Sequence, residues 1–445
     1  MKHIRHRLLA VLAAAAMLTA TVGCSQDSSS NAAQNSNAEQ SSTASDESST
    51  TDPANSKGDD DISQSQSDSQ PSDSENSSGG DESSIGGDQP DSKPDVTTTA
   101  TSATNSPVSS STSVSSGEGT APREEKYIYL KNNTAQYSGT GIMVDGNTVT
   151  ITKGGIYVLS GTLNGSVQVL TEDKKVYLEL NNAHIHNAEG AALNVQQAKR
   201  ISITTLKGTT NSFTDGGVHE ETRGAIFSND TVELNGEGVL NITANYAHGI
   251  RSDDDIILNS GTVNITSVKS GFHCNDGIEI NGGKLFCDAG TNGVKTLGYI
   301  TITGGESVFI GGTREEKGAI YCDGTFTYSG GTFYAIGNLC ALPSAATSTA
   351  HAVAIEFTNL FGPNRAVNVK ANGKDVLSIT SPNNFRYVVF GGTGLTTTGT
   401  YSVSAGGTLT GSVNHYLAAP GAYQNGNAYV DFASNGIVTK ATIPS

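Results

Sequence analysis

Tryptophan is absent from the 445 residues, and all aromatics together make up 6% of them. A flat aromatic platform of the kind that stacks on crystalline cellulose is therefore not expected, although tyrosine can take that part. Cysteine is scarce as well. After Cys24 only Cys274, Cys287, Cys322 and Cys340 remain, with no C-x-x-C pair among them, and zinc or thioredoxin-type readings fail on that spacing. Helical periodicity is missing. The apolar run from Leu8 to Thr21 is too short for a permanent bilayer-spanning helix, which needs about 20 residues.

From Ser25 to about Pro122 almost no Leu, Ile, Phe or Tyr occurs. Without apolar surface to offset chain entropy, this stretch is expected not to fold. It carries 17 acidic residues and two lysines, whereas the chain from Arg123 onward holds 26 acidic and 21 basic residues, a net of −5. The overall charge of −17 thus belongs to the spacer and says nothing about what the folded part binds. A nucleic-acid partner is not expected. A self-repelling, Ser-rich stretch of this length suits a tether.

Lys2, Arg5 and Arg7 precede the short apolar run, which has the form of an export signal. It ends Thr21-Val22-Gly23-Cys24 before the chain turns polar. That ending resembles the lipobox of bacterial lipoproteins, apart from Thr21, where the family usually has Leu. The resemblance implies lipidation of Cys24 and an exported protein at the bacterial cell surface, held to the membrane only through its lipid anchor.

The decisive pattern is a repeat. Gly249-Ile250-Arg251-Ser252-Asp253-Asp254 recurs as Gly271-Phe272-His273-Cys274-Asn275-Asp276 and again as Gly293-Val294-Lys295-Thr296-Leu297-Gly298, each step being 22 residues. The register holds through Ile256, Ile278 and Ile300, and through the Gly282-Gly283 and Gly304-Gly305 turns. Related units begin at Ala225, 24 residues upstream, and at Ala319, 26 residues downstream. Short strands at this period without helices predict an all-β chain, a right-handed parallel β-helix over 124–353. Strand patterns around Val367, Val376, Tyr387 and Tyr401 predict a β cap over 354–411, preceded by the signal 1–24 and spacer 25–123, and followed by a tail, 412–445.

Equivalent residues of a solenoid stack about 4.8 Å apart, so aligned positions become columns. Ile226, Ile250, Phe272, Val294 and Ile320 form an interior column, and Cys287 falls between Ile265 and Phe309 as a core thiol. Cys274 and Cys322 lie two coils apart, roughly 9.6 Å, too far for a disulfide. Next to the interior column an outward one runs Phe227, Arg251, His273, Lys295, Tyr321. Its cations can pair with carboxylates of a uronate chain, and its rings can lie on sugar faces. The bland alternative is a solvated face whose Arg and Lys balance acids nearby. That neighbouring column runs Asn229, Asp253, Asn275 and Asp323, with Asp230, Asp254 and Asp276 beside it and Asp255 following. Asp230, Asp253, Asp254, Asp255, Asn275 and Asp276 are candidate calcium ligands, because stacked carboxylates repel unless a cation neutralises them. Asx-turns that cap backbone amides use the same residues, and the two readings coexist.

The stretch Ile156-Tyr-Val-Leu-Ser-Gly-Thr-Leu-Asn-Gly, the run Gly224-Ala-Ile-Phe-Ser-Asn-Asp, the repeated Gly-Ile/Phe units and Asn384-Phe-Arg-Tyr-Val-Val-Phe together resemble one family. These are the bacterial carbohydrate-binding domain-containing β-helix proteins of clostridial polysaccharide degraders, similar in fold to family-nine pectate lyases. The resemblance spans about Lys126 to Gly411 and implies bound calcium and plant-wall polysaccharide, pectin-like above all. Where the family usually has Asp before the repeated Gly, this chain has His248, Ser270 and Asn292, and Leu297 replaces a later acid. The expected function is non-catalytic, calcium-assisted polysaccharide binding by a monomer through Arg251, His273, Lys295 and Tyr321. A calcium-dependent polysaccharide lyase is the second hypothesis and a surface adhesin or structural protein the third.

Overall fold

The computed structural model describes residues 124–312, 314 and 316–444. The signal-like segment with Cys24 and the spacer 25–123 lie outside the described residues. Among the described residues the regular elements are all strands, with no helix. Each central turn of chain lays one strand on each of three faces. His248–Ser252, Ile256–Leu258 and Thr262–Ser267 make one turn, and Phe272–Cys274, Gly277–Ile280 and Lys284–Ala289 lie over them in parallel register. The parallel β-helix expected from the repeat is the fold. Its first face is a sheet of nine strands, while the second and third merge into a 19-stranded sheet through the long strand Lys175–Asn187.

Local chemistry explains the coil. Alternate residues such as Ile256 and Leu258 point inward and are fully buried, while Ile257 between them is half-exposed. The interior column Ile226, Ile250, Phe272, Val294, Ile320 is at most 1% exposed. At the glycine turn, Gly283 has φ of 72°, and a Cβ there would lie 2.7 Å from the Gly261 carbonyl of the coil below. Only glycine fits both demands. Beside it an amide ladder climbs the stack: Asn235 donates to Ser202, Asn259 to Asn235 and Asn281 to Asn259, at 3.0 to 3.1 Å. All four cysteines after Cys24 are free, and burial pushes the Cys287 thiol well up.

Beyond the last coil the chain reverses. Phe385–Gly391 pairs antiparallel with Thr332–Gly337 of the third face and with Ala352–Phe361. Ala366–Ala371, Lys374–Thr380 and Thr400–Leu409 form a separate sheet with its own core, which takes in Val308, Ile310 and Ile336 from the third face. The cap therefore covers the flank of the helix as well as its end. Residues after 412 belong to it: Asn427–Ala433 pairs with Thr400–Leu409, and Val438–Ile443 with Ala352–Phe361. Tyr416 donates to Asp288 on the helix at 2.5 Å, and His415 stacks on Phe286 with centroids 3.7 Å apart.

Candidate functional site

The outward column of the first face is an unbroken row. Strand register places Thr150 beside Gln168, Gln168 beside Asn194, Asn194 beside Phe227, and then Arg251, His273, Lys295 and Tyr321 in succession. Arg251, His273, Lys295 and Tyr321 are thus neighbours on one surface, half-exposed, with Phe227 only 8% exposed. Lys295 Nζ lies 5.3 Å from the centroid of the Tyr321 ring, a cation–π contact. Arg251 reaches Asp253 at 3.8 Å, so part of the bland charge-balancing reading holds at that rung. Thr150, Gln168 and Asn194 did not emerge from the repeat. Their turns step by 18, 26 and 33 residues rather than 22, which hides the alignment.

His273 has a partner that no repeat position announces. His248 begins its strand and is buried, and its Nε2 lies 3.0 Å from His273 Nδ1. The Ser270 backbone N–H donates to His248 Nδ1 at 3.1 Å. An imidazole nitrogen that accepts carries no proton in the neutral ring. His248 Nε2 is therefore the protonated nitrogen, it donates to His273 Nδ1, and His273 keeps its own N–H on Nε2. The row thus holds a neutral imidazole with one fixed tautomer between two cations. Burial, then Lys295, Arg251 and Lys269, lower the His273 pKa to about 3, and burial, then His273 and the same cations, hold that of His248 well below its usual range. Unfolded histidines bind protons below about pH 6.5 that these two refuse. Their contribution to stability is therefore present above that pH and lost as pH falls toward about 3. Unfolding midpoints followed from pH 7 to pH 5 are expected to drop more steeply in the wild type than in His273→Gln. Parallel slopes would refute this account of the pair.

The acidic residues separate into different environments. Asp230 is buried, and its Oδ2 accepts the Ala198 N–H at 2.9 Å, a turn-capping role. Asp253 faces Arg251, and burial raises its pKa against that cation. Asp254 donates its backbone N–H to Ser252 Oγ at 3.2 Å within its turn, while Asn275 and Asp276 occupy the next turn above. Asp255 is different. Its Oδ1 is buried with no hydrogen-bond partner. Burial, then Asp276, Glu279 and Asp254, raise its pKa, offset in part by the Gly277 amide. A Cβ on Gly277 would lie 2.8 Å from that oxygen and 2.4 Å from the Tyr299 ring. Tyr299 donates to Glu279 at 2.8 Å. No three His, Cys, Asp or Glu side chains among the described residues converge into a preformed metal site. The oxygens around Asp255 are nonetheless of the kind a hard cation takes: an orphaned carboxylate oxygen and three further acids, Asp254, Asp276 and Glu279. Glu279, on the next strand, is the member that column reasoning missed.

Upstream, residues 218–222 form one wall of an open recess of about 370 Å³ that Gln168 and Asn194 also line. The fully buried Asp215 holds this segment, bonded to His219 Nε2 at 2.9 Å and to the Asn245 backbone N–H at 2.5 Å, while His219 Nδ1 meets Thr222 Oγ1 at 2.7 Å.

A family model described as carbohydrate-binding domain-containing protein matches residues 145–353, which include the whole row. A protein of the same description from Acetivibrio thermocellus is 28% identical over 160 residues, 34% of this chain and 56% of its own length. The chain thus spans little more than half of that relative. A solved structure titled as the polysaccharide lyase-like protein from C. thermocellum, a gadolinium derivative, gives a TM-score of 0.40 at 24% identity, covering 47% of this chain and 94% of that one. Over residues 145–353 this chain is therefore similar to the carbohydrate-binding domain-containing proteins.

Proposed function

We propose that this protein is a non-catalytic polysaccharide-binding protein that grips acidic, pectin-like chains along the first face. The observation that carries the reading is the register of Arg251, His273, Lys295 and Tyr321 on four adjacent strands. Strands about 4.8 Å apart repeat at close to the length of one sugar unit, so successive rungs meet successive units. Arg251 and Lys295 pair with uronate carboxylates, the His273 Nε2–H donates to a hydroxyl or carboxylate, and the Tyr321 ring lies against a sugar face. Cys24, lipidated, tethers the exported protein to the cell surface through the spacer. Affinity electrophoresis in polygalacturonate against neutral glucan tests this: retardation is expected in the acidic gel alone. Ultraviolet absorbance rising from unsaturated product would instead establish a lyase. Absence of binding to any glycan on an array would favour an adhesin or scaffold.

Calcium enters the proposal at Asp255, with Asp254, Asp276 and Glu279 as the further ligands. It would neutralise these carboxylates and offer an anionic sugar a coordination position. Calcium is expected to raise the unfolding midpoint and a chelator to reverse the gain, about 2.7 kcal/mol at a hundredfold excess over Kd. Asp255→Asn should abolish the shift. A wild type whose midpoint ignores millimolar calcium would remove the metal from the proposal and leave the cationic row standing.

A further inference from the structure

We infer that the recess walled by residues 218–222 is a neutral-sugar subsite, so that the preferred ligand is a mixed chain carrying uncharged units beside uronate units. The inference rests on the reading of the row as a glycan site and extends it upstream. The chemistry of the row changes at Phe227. On one side stand Arg251, His273 and Lys295; on the other stand Asn194, Gln168 and Thr150. Among the described residues no lysine or arginine lines the recess; Glu189 and Glu221 line it together with amides, as does Glu220, whose charge Arg223 balances from just outside. Carboxylates set around a cavity repel a uronate. The same carboxylates and amides accept hydrogen bonds from the hydroxyls of an uncharged ring.

A second observation points to a missing donor. Asn194 Oδ1, inside the row and lining the recess, is buried with no hydrogen-bond partner. Buried acceptors are normally satisfied, and a rotation of the Asn194 amide toward the recess brings this one within reach of a sugar hydroxyl. The recess lies within the usual volume range of small-ligand sites, about 300–1,000 Å³. Its wall is fixed in advance, because Asp215 ties His219 and Asn245 together at the base of the loop. A preformed wall lowers the ordering cost of binding. From Asn194 to Lys295 the row takes four strand steps, roughly 19 Å, so one short oligosaccharide reaches both halves.

Three hexasaccharides test the inference by calorimetry: a homo-oligogalacturonate, a neutral oligogalactan and an oligomer alternating rhamnose with galacturonate. The wild type is expected to bind the alternating oligomer tightest. Asn194→Leu should weaken that complex about tenfold, one hydrogen bond with its buried acceptor removed, and leave the oligogalacturonate complex unchanged. Gln168→Ala, at the neighbouring rung, should act in the same direction and guards against a misfolded Asn194 variant. Equal wild-type affinity for the alternating and acidic oligomers would overturn the inference while sparing the acidic reading. So would loss of both complexes to the same degree in folded Asn194→Leu and Gln168→Ala. If the wild type binds no uronate-containing oligomer at all, the underlying reading of the row fails instead.

Discussion

Phe272→Ala is expected to destabilise the protein by about 3–5 kcal/mol. Phe272 is fully buried between Ile250 below and Val294 above, in the middle of the interior column. Removing the ring discards its transfer free energy and leaves a cavity that the hydrogen-bonded coils on either side cannot collapse to fill. The solenoid makes the loss more than local. Each coil packs chiefly on its neighbours, so a weak coil divides the stack into two parts that hold together less well. Urea denaturation of the variant is expected to show a lower midpoint with a broadened or divided transition. A midpoint shift worth less than about 1 kcal/mol, typical of volume-conserving or surface changes, would mean that the column is not close-packed at this rung.

Arg251→Glu combined with Lys295→Glu is expected to reduce affinity for polygalacturonate by at least a hundredfold. A hydrogen bond to a charged group contributes about 1.5–3 kcal/mol, and about 1.4 kcal/mol corresponds to a tenfold change in affinity. Removing two such hydrogen bonds weakens binding roughly a hundredfold, and the introduced carboxylates add repulsion. Arg251 already touches Asp253 at 3.8 Å, so the reversal there also places two acids together. Midpoints of unfolding measured alongside separate a binding defect from a folding one. Wild-type affinity should fall with added salt as screening grows, and the residual affinity of the double variant should not. Lys295→Arg, which retains the charge and a cation over the Tyr321 ring, is expected to keep most of the binding. Retained affinity in the double reversal would remove the first face from the binding site.

The fold was legible through its 22-residue register, because a solenoid writes the same local demands into every coil: a glycine at the turn, an aliphatic residue inside, a polar one outside. Arg251, His273, Lys295 and Tyr321 aligned for that reason, and their adjacency followed from the alignment alone. The upstream half of the row was not legible. The insertion at 216–223 breaks the period between Asn194 and Phe227, and no local signal in the insertion restores it. The contact between His248 and His273 was hidden differently. It links the first position of one strand with the outward position of the next coil, and periodicity cannot report the direction of a side chain at a strand end. The acids looked alike in sequence yet face different surroundings, since consecutive residues of a tight turn point to different sides: Asp253 toward Arg251, Asp255 toward Gly277 and Tyr299. The role of Tyr416 and His415 on the helix flank depends on a long-range return of the chain that their Gly- and Asn-rich surroundings do not announce.

The reversed strands at the two ends of the stack bear on how many of these molecules can stand side by side. At the start Ala135–Ser138 runs antiparallel to Glu125–Asn132 and Ile142–Asp145 antiparallel to Thr148–Ile151, and at the far end Phe385–Gly391 runs antiparallel to Thr332–Gly337. An open parallel coil is a template onto which another copy can add, rung upon rung, into a fibre. A strand of opposite polarity presents the wrong hydrogen-bonding pattern for that addition. On these edges the chain carries its own terminators against rung-upon-rung addition of a second copy.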